Sequence, residues 1–147
     1  MNTSEKKARP KIIGFYGFSQ SGKTYLIKRV IETLTEKGFR IAAIKKTDKN
    51  IHVDQDGKDT REFSRAGSRS VVLSAADTTT FFLNKKMTNY AIIRVLGESG
   101  SFDFIFIEGA NEKEVKKIRI GDIPIRENTI WTYNENFEEL IDRITKE

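Results

Sequence analysis

Residues Gly17-Phe18-Ser19-Gln20-Ser21-Gly22-Lys23-Thr24 fit the pattern G-x-x-x-x-G-K-[ST]. Each fixed position serves phosphate binding. Gly17 and Gly22 let the chain turn sharply and bring backbone amides toward a phosphate with no Cβ in the way. Those amides, and the N-terminus of a following helix, carry partial positive charge. Lys23 adds a full charge for the β- and γ-phosphates, and the Thr24 hydroxyl is placed for Mg2+. Ser19, Gln20 and Ser21 fill the loop and are candidate phosphate contacts with it. The fixed positions match by chance in roughly 0.5% of chains of this length.

Such a site needs an acidic residue at the end of a neighbouring strand. The run Phe104-Ile105-Phe106-Ile107-Glu108-Gly109 supplies one. An acid that follows four apolar residues is costly to bury unpaired. At the C-terminal end of a parallel strand it faces the ligand crevice instead. Glu108 is therefore a candidate for positioning Mg2+ or a water, against the plainer reading of a surface carboxylate. The segment His52–Thr60 offers Asp54, Asp56 and Asp59 as hard oxygen ligands, with Asp54-x-x-Gly57 matching a D-x-x-G pattern. A solvated turn would carry the same residues. The spacing does not fit an EF-hand. No N-K-x-D segment is present, so guanine cannot be derived from the residues.

The elements that must position these residues follow from the apolar pattern. Lys11–Gly17 is a short apolar run that reads as a buried parallel strand. From Lys23 to Lys37 the apolar residues Leu26, Ile27, Val30, Ile31 and Leu34 recur at helical spacing, and Gly38 sits where a C-cap glycine belongs. Phe39–Lys45 reads as a second strand. The motif thus follows a strand and opens a helix, which is its required setting. A polar loop is expected over Lys46–Thr60, a length that usually signals function. Beyond it the pattern predicts a short helix from Thr60 to Gly67, strands at Ser70–Ser74, Phe102–Gly109, Lys116–Ile120 and Thr129–Tyr133, and helices at Thr88–Leu96 and Asn136–Lys146. This alternation predicts an α/β, three-layer, P-loop NTPase-like domain with a mostly parallel sheet and extra β structure.

Composition narrows the classes. At 147 residues, a single domain over residues 11–147 is expected, behind a flexible lead-in over residues 1–10. The formal net charge of +5 suits anionic ligands. The basic residues are scattered, which argues against nucleic acid. The chain has no cysteine, which removes disulfides and thiolate metal sites and fits a cytoplasmic location. His52 is the only histidine, which removes any multi-histidine cluster. No apolar run reaches the roughly 18 residues of a membrane span, and the polar N-terminus does not read as a signal peptide.

Taken together, three stretches resemble the molybdopterin-guanine dinucleotide biosynthesis adapter proteins, the MobB family. They are "SQSGKTYLIKRVIETLTEKGFRIAAIKKT", "DQDGKDTREFSRAGS" and "DFIFIEG". The resemblance implies a P-loop GTPase-like fold that binds GTP and Mg2+. It implies homodimers joined through extended β structure. It implies partnership with the guanylyltransferase that attaches GMP to molybdopterin, molybdopterin itself being a possible ligand. The family protein is not the transferase, and weak GTPase activity at most is expected. Residue by residue, Gly17, Gly22, Lys23 and Thr24 match the nucleotide loop. Asp54, Gly57, Lys58 and Asp59 match the loop after the second strand, and Glu108 and Gly109 match the strand-end pair. On this basis Lys58 and Asp59 join the nucleotide contacts, and Asp54 joins Thr24 and Glu108 as a metal ligand. The chain departs from the family where histidines usually follow the second strand; Lys46, Asp48 and Lys49 replace them.

Two other readings use the same loop. A small-molecule kinase would need an arginine-rich lid, for which Arg61, Arg65 and Arg69 are candidates; on one exposed helix face Arg61 and Arg65 would have no such role. A nucleotide-gated adapter without a molybdenum role is the third.

Overall fold

The computed structural model describes residues 9–50 and 58–147. The lead-in up to residue 8, together with Asp54, Asp56 and Gly57, lies outside the described residues. Eleven elements follow in order: β1 (Lys11–Gly17), α1 (Lys23–Glu36), β2 (Ile41–Lys45), α2 (Lys58–Arg65), β3 (Ser70–Ser74), β4 (Thr79–Leu83), α3 (Asn89–Ser99), β5 (Phe104–Glu108), β6 (Lys116–Ile120), β7 (Thr129–Thr132) and α4 (Phe137–Lys146). The chain forms two compact units, one of residues 1–48 and 93–147 and the other of residues 49–92.

The first unit holds a five-stranded sheet in the order β2-β5-β1-β6-β7. All its pairings are parallel. The strand–helix–strand unit read from the sequence is present, but β5 inserts between β1 and β2. β1 is therefore flanked by strands that arrive late in the chain. Ligands of such sheets bind outside the carboxyl ends of the strands, where the connections diverge.

Strand parity decides which side chains meet. Ile13 and Phe15 of β1, Phe104 and Phe106 of β5, and Ile118 and Ile120 of β6 point to one face. There they pack with Leu26, Ile27, Val30 and Leu34 of α1 and Leu140, Ile141 and Ile144 of α4. Phe15 and Phe106 meet edge to face at 5.5 Å. Glu108 shares the parity of Phe104 and Phe106, so it leaves the sheet on the side of α1.

The opposite face carries Gly14, Tyr16, Ile105, Ile107 and Lys117, also buried. The chain after β5 comes very close here. A Cβ on Gly14 would lie 2.4 Å from Ala110 Cβ and 3.2 Å from Val115 Cγ1. Arg126, in the crossover from β6 to β7, stacks its guanidinium 4.6 Å from the Tyr16 ring centre.

In the second unit, β3 and β4 form an antiparallel pair and α2 packs on β3. β4 was not foreseen from the sequence. Its turn, Ala75–Thr78, has none of the usual hairpin glycine or asparagine signals and closes through Ala75 N–H to Thr78 O at 2.8 Å. Among the described residues, no helix is long and apolar enough to cross a membrane.

Candidate functional site

The loop leaving β1 has the backbone of an anion cradle. Gln20 and Gly22 both adopt left-handed backbone, at φ 62° and 79°. Alternation of this kind turns successive N–H groups toward one point. For Gln20 the conformation is a local strain of the sort that clusters at ligand sites. Gly17 is fixed by crowding: a Cβ there would lie 2.5 Å from Ile120 O and 3.0 Å from Ser21 Oγ. The loop thus backs onto the end of β6, its register partner.

The helix that follows is left bare at its positive end. α1 has Gly22 as its N-cap, no side-chain cap and no acid in its first turn. α4 shows the contrast. Its N-cap Asn136 accepts from Glu139 N–H, and Glu138 and Glu139 sit in its first turn. The N–H groups that open α1 therefore remain for an outside anion.

The Lys23 ammonium folds over the loop and donates to Gly17 O at 3.1 Å and Phe18 O at 2.6 Å. Those two carbonyls hold the charge beside the cradle. Next along α1, Thr24 Oγ1 donates to both Glu108 oxygens, at 3.1 and 3.2 Å. Two of the three residues singled out for Mg2+ are thus in contact. The Glu108 side chain retains 16% exposure and has Lys45 Nζ, from the end of β2, at 3.9 Å.

The segment after Glu108 is firmly held. Gly109, at φ 80°, passes close to Lys46 O and donates its N–H to Phe15 O at 2.8 Å. Lys46 pairs with Glu112. Burial works against ionisation of the Glu112 carboxyl, but hydrogen bonds from Lys46, from its own amide and from the Asn111 amide outweigh it and hold its pKa below the ordinary value. Lys117, fully buried, donates to Glu112 O, to Val115 O at 2.6 Å and to Glu127 O at 2.7 Å. Arg126 donates to Ala110 O at 2.6 Å. Lys117 and Arg126 were not foreseen. Lys116–Ile120 was read only as a strand; β6 is an inner strand of the sheet, and Lys117 lies on a covered face of it.

The remaining sequence candidates lie on the loop itself and in the second unit. Ser19 and Gln20 are exposed on the loop. Lys58 and Asp59 open α2 in the second unit, with Asp59 exposed in the first turn. Arg65 pairs with Glu62 on the same helix at 3.0 Å, and both are exposed. That occupies one arginine of the supposed lid.

The described residues suit a nucleoside triphosphate with Mg2+. Ser21 Oγ is buried and has no hydrogen-bond partner among them, as befits a hydroxyl facing a ligand. The glycine cradle and uncapped helix offer amides to phosphate. Thr24 and Glu108 would offer Mg2+ hard oxygens. Among the described residues there is no group of three or more acidic, histidine or cysteine side chains suited to a metal. The ion would take its other ligands from phosphate and water, the usual habit of Mg2+.

A family model described as molybdopterin guanine dinucleotide synthesis protein B, MobB, matches residues 12–143. The chain belongs to the MobB family. Among relatives, a protein of Methanocaldococcus jannaschii named for molybdopterin-guanine dinucleotide biosynthesis is 37% identical over 113 residues, covering 77% of this chain and 46% of that one. The Escherichia coli molybdopterin-guanine dinucleotide biosynthesis adapter protein is 27% identical over 110 residues, 73% of this chain and 63% of its own length. The chain thus spans about half to just under two thirds of the curated relatives it matches. The crystal structure of Bacillus subtilis MobB superposes with a TM-score of 0.72 at 15% identity, covering 92% of this chain and 96% of that one. A crystal structure of molybdopterin-guanine biosynthesis protein B gives 0.62 at 21% identity. These likenesses establish the MobB fold, an α/β domain with a mostly parallel sheet.

Proposed function

We propose that the protein is a GTP-binding adapter in molybdenum-cofactor biosynthesis, assisting the guanylylation of molybdopterin to its dinucleotide form. Membership of the MobB family supports the pathway. The observation that carries the nucleotide part is the contact between Thr24 and Glu108 beside an uncapped, glycine-cradled helix N-terminus. In this reading Gly17, Ser19, Gln20, Ser21, Gly22 and Lys23 hold the phosphates. Thr24 and Glu108 hold Mg2+, which supplies charge neutralisation on the phosphate oxygens. Lys58 and Asp59 add nucleotide contacts, and Asp54, outside the described residues, is a further metal ligand.

Turnover in this reading is slow. Fast hydrolysis needs a group that orients the attacking water and often an arginine finger. Glu108 is the residue available for the water, and it is engaged by Thr24 and Lys45. A cytoplasmic location goes with GTP as the ligand. A homodimer is supported by the β3–β4 pair, whose two strands both have an open edge among the described residues. One face of that pair exposes Val72, Phe81 and Leu83. The kinase reading lacks a comparable observation.

The test is reconstitution with a molybdopterin guanylyltransferase. The adapter is expected to bind it in a pull-down and to raise dinucleotide formation from molybdopterin and GTP. Absence of both effects, with GTP binding intact, would move the protein to another pathway.

A further inference from the structure

Glu108 is shared by two partners of different kinds. Thr24 approaches it with a hydroxyl and Lys45 with a full positive charge. The register explains why. Lys45 and Glu108 are direct partners across β2 and β5, and both terminate their strands on the side of α1. The Lys45 side chain is 65% exposed, and at 3.9 Å its contact is electrostatic rather than a hydrogen bond. Its neighbour Lys46 is taken up by Glu112 instead. The cation beside Glu108 is therefore one that can leave at little cost.

A triphosphate arriving at the cradle brings several negative charges toward the Glu108 carboxylate. Without a metal, that carboxylate repels them. With a metal, the ion neutralises both. We propose that Lys45 is the resident counter-charge of Glu108, which lets nucleotide bind before metal and yields the carboxylate when Mg2+ arrives. This rests on the nucleotide-binding reading above. Lys45 is thus a positioning residue that sets how strongly nucleotide affinity depends on Mg2+.

The effect differs from that of a lysine touching phosphate directly. A phosphate-binding lysine strengthens metal-free and metal-bound nucleotide alike. A counter-charge to Glu108 matters most when no metal is present, because two cations compete for one carboxylate. Since coupling between sites is reciprocal, the same change alters metal affinity in the nucleotide complex.

The test is titration calorimetry of the full chain with GTP, once with Mg2+ and once with EDTA. The quantity read is the ratio of the two dissociation constants. Lys45→Ala is expected to weaken metal-free binding about tenfold and Mg2+-bound binding less than about threefold, so the ratio rises. Lys45→Arg is expected to keep the wild-type ratio. In a Glu108→Gln background, Lys45→Ala is expected to leave the ratio unchanged. Thermal unfolding of each variant checks the fold, and Lys45 is exposed enough for this to stay level. Equal losses in both conditions, no loss in either, or the same rise in the Glu108→Gln background would each overturn the proposal. If the wild type binds no GTP in either condition, the nucleotide reading falls and takes this proposal with it.

Discussion

Thr24 Oγ1 lies 3.1 and 3.2 Å from the two carboxylate oxygens of Glu108, although 84 positions separate the residues in sequence. One opens the helix after the phosphate loop, and the other ends the strand beside it. Replacing either should weaken Mg2+-dependent GTP binding. For Thr24→Ala and for Glu108→Gln the expected loss is about tenfold with Mg2+ present, in line with the loss of one charge-assisted contact. In EDTA the loss is smaller for Thr24→Ala and absent for Glu108→Gln, whose carboxylate in the wild type only repels metal-free phosphate. The double variant should lose less than the sum, because the residues serve one ion. Calorimetry with and without Mg2+ reads all three.

Crowding at Gly14 leads to a prediction about folding. Gly14→Ala would press its new methyl onto Ala110, which is fully buried. A destabilisation of about 1–3 kcal/mol is expected from overpacking, measured by denaturant unfolding. A shift near zero would mean the chain after β5 relaxes freely.

Lys117 tests how the same segment is held. Its ammonium serves three backbone carbonyls, those of Glu112, Val115 and Glu127. Lys117→Met keeps much of the volume but leaves those carbonyls without their donor. The expected cost is about 3 kcal/mol or more. A variant as stable as the wild type would show that the carbonyls find water.

The fold was legible in the sequence wherever a local pattern decided it. The strand before the loop, the helix after it and the acidic strand end all carry their signal within a few residues. Thr24 and Glu108 could be paired in advance because both belong to one phosphate-site chemistry. The strand order was not legible, since β5 enters between β1 and β2 through pairings far apart in the chain. The burial of Lys117 was not legible for a related reason: a strand pattern marks two faces but not whether both are covered. Lys45 gave no signal because a lysine ending a strand is ordinary. Only the β2–β5 register puts it beside Glu108. Of Lys46, Asp48 and Lys49, where the resemblance leads one to expect histidines, Lys46 is engaged with Glu112.

The Lys46–Glu112 pair makes stability pH-dependent on the acid side. The folded pKa of Glu112 lies below its ordinary 4.5, so the unfolded chain takes up the proton first as pH falls. The pair's contribution is complete above about that ordinary value and is lost as pH falls through the depressed folded value. Glu112→Gln should flatten this acid limb and leave the change in stability between pH 6 and pH 8 as it was. Denaturant unfolding across acid pH reads it. An acid limb identical to the wild type's would remove the pair from the account.

The central claim is that the loop Gly17–Thr24 binds a guanine nucleotide. The most direct measurement is calorimetric titration of GTP and of ATP, with Mg2+, into the wild type and Lys23→Ala. The account predicts that GTP binds the wild type more tightly than ATP does. It also predicts that Lys23→Ala loses GTP binding by about a hundredfold or more while unfolding at the wild-type temperature. GTP affinity unchanged by Lys23→Ala, or a clear preference for ATP, would contradict it.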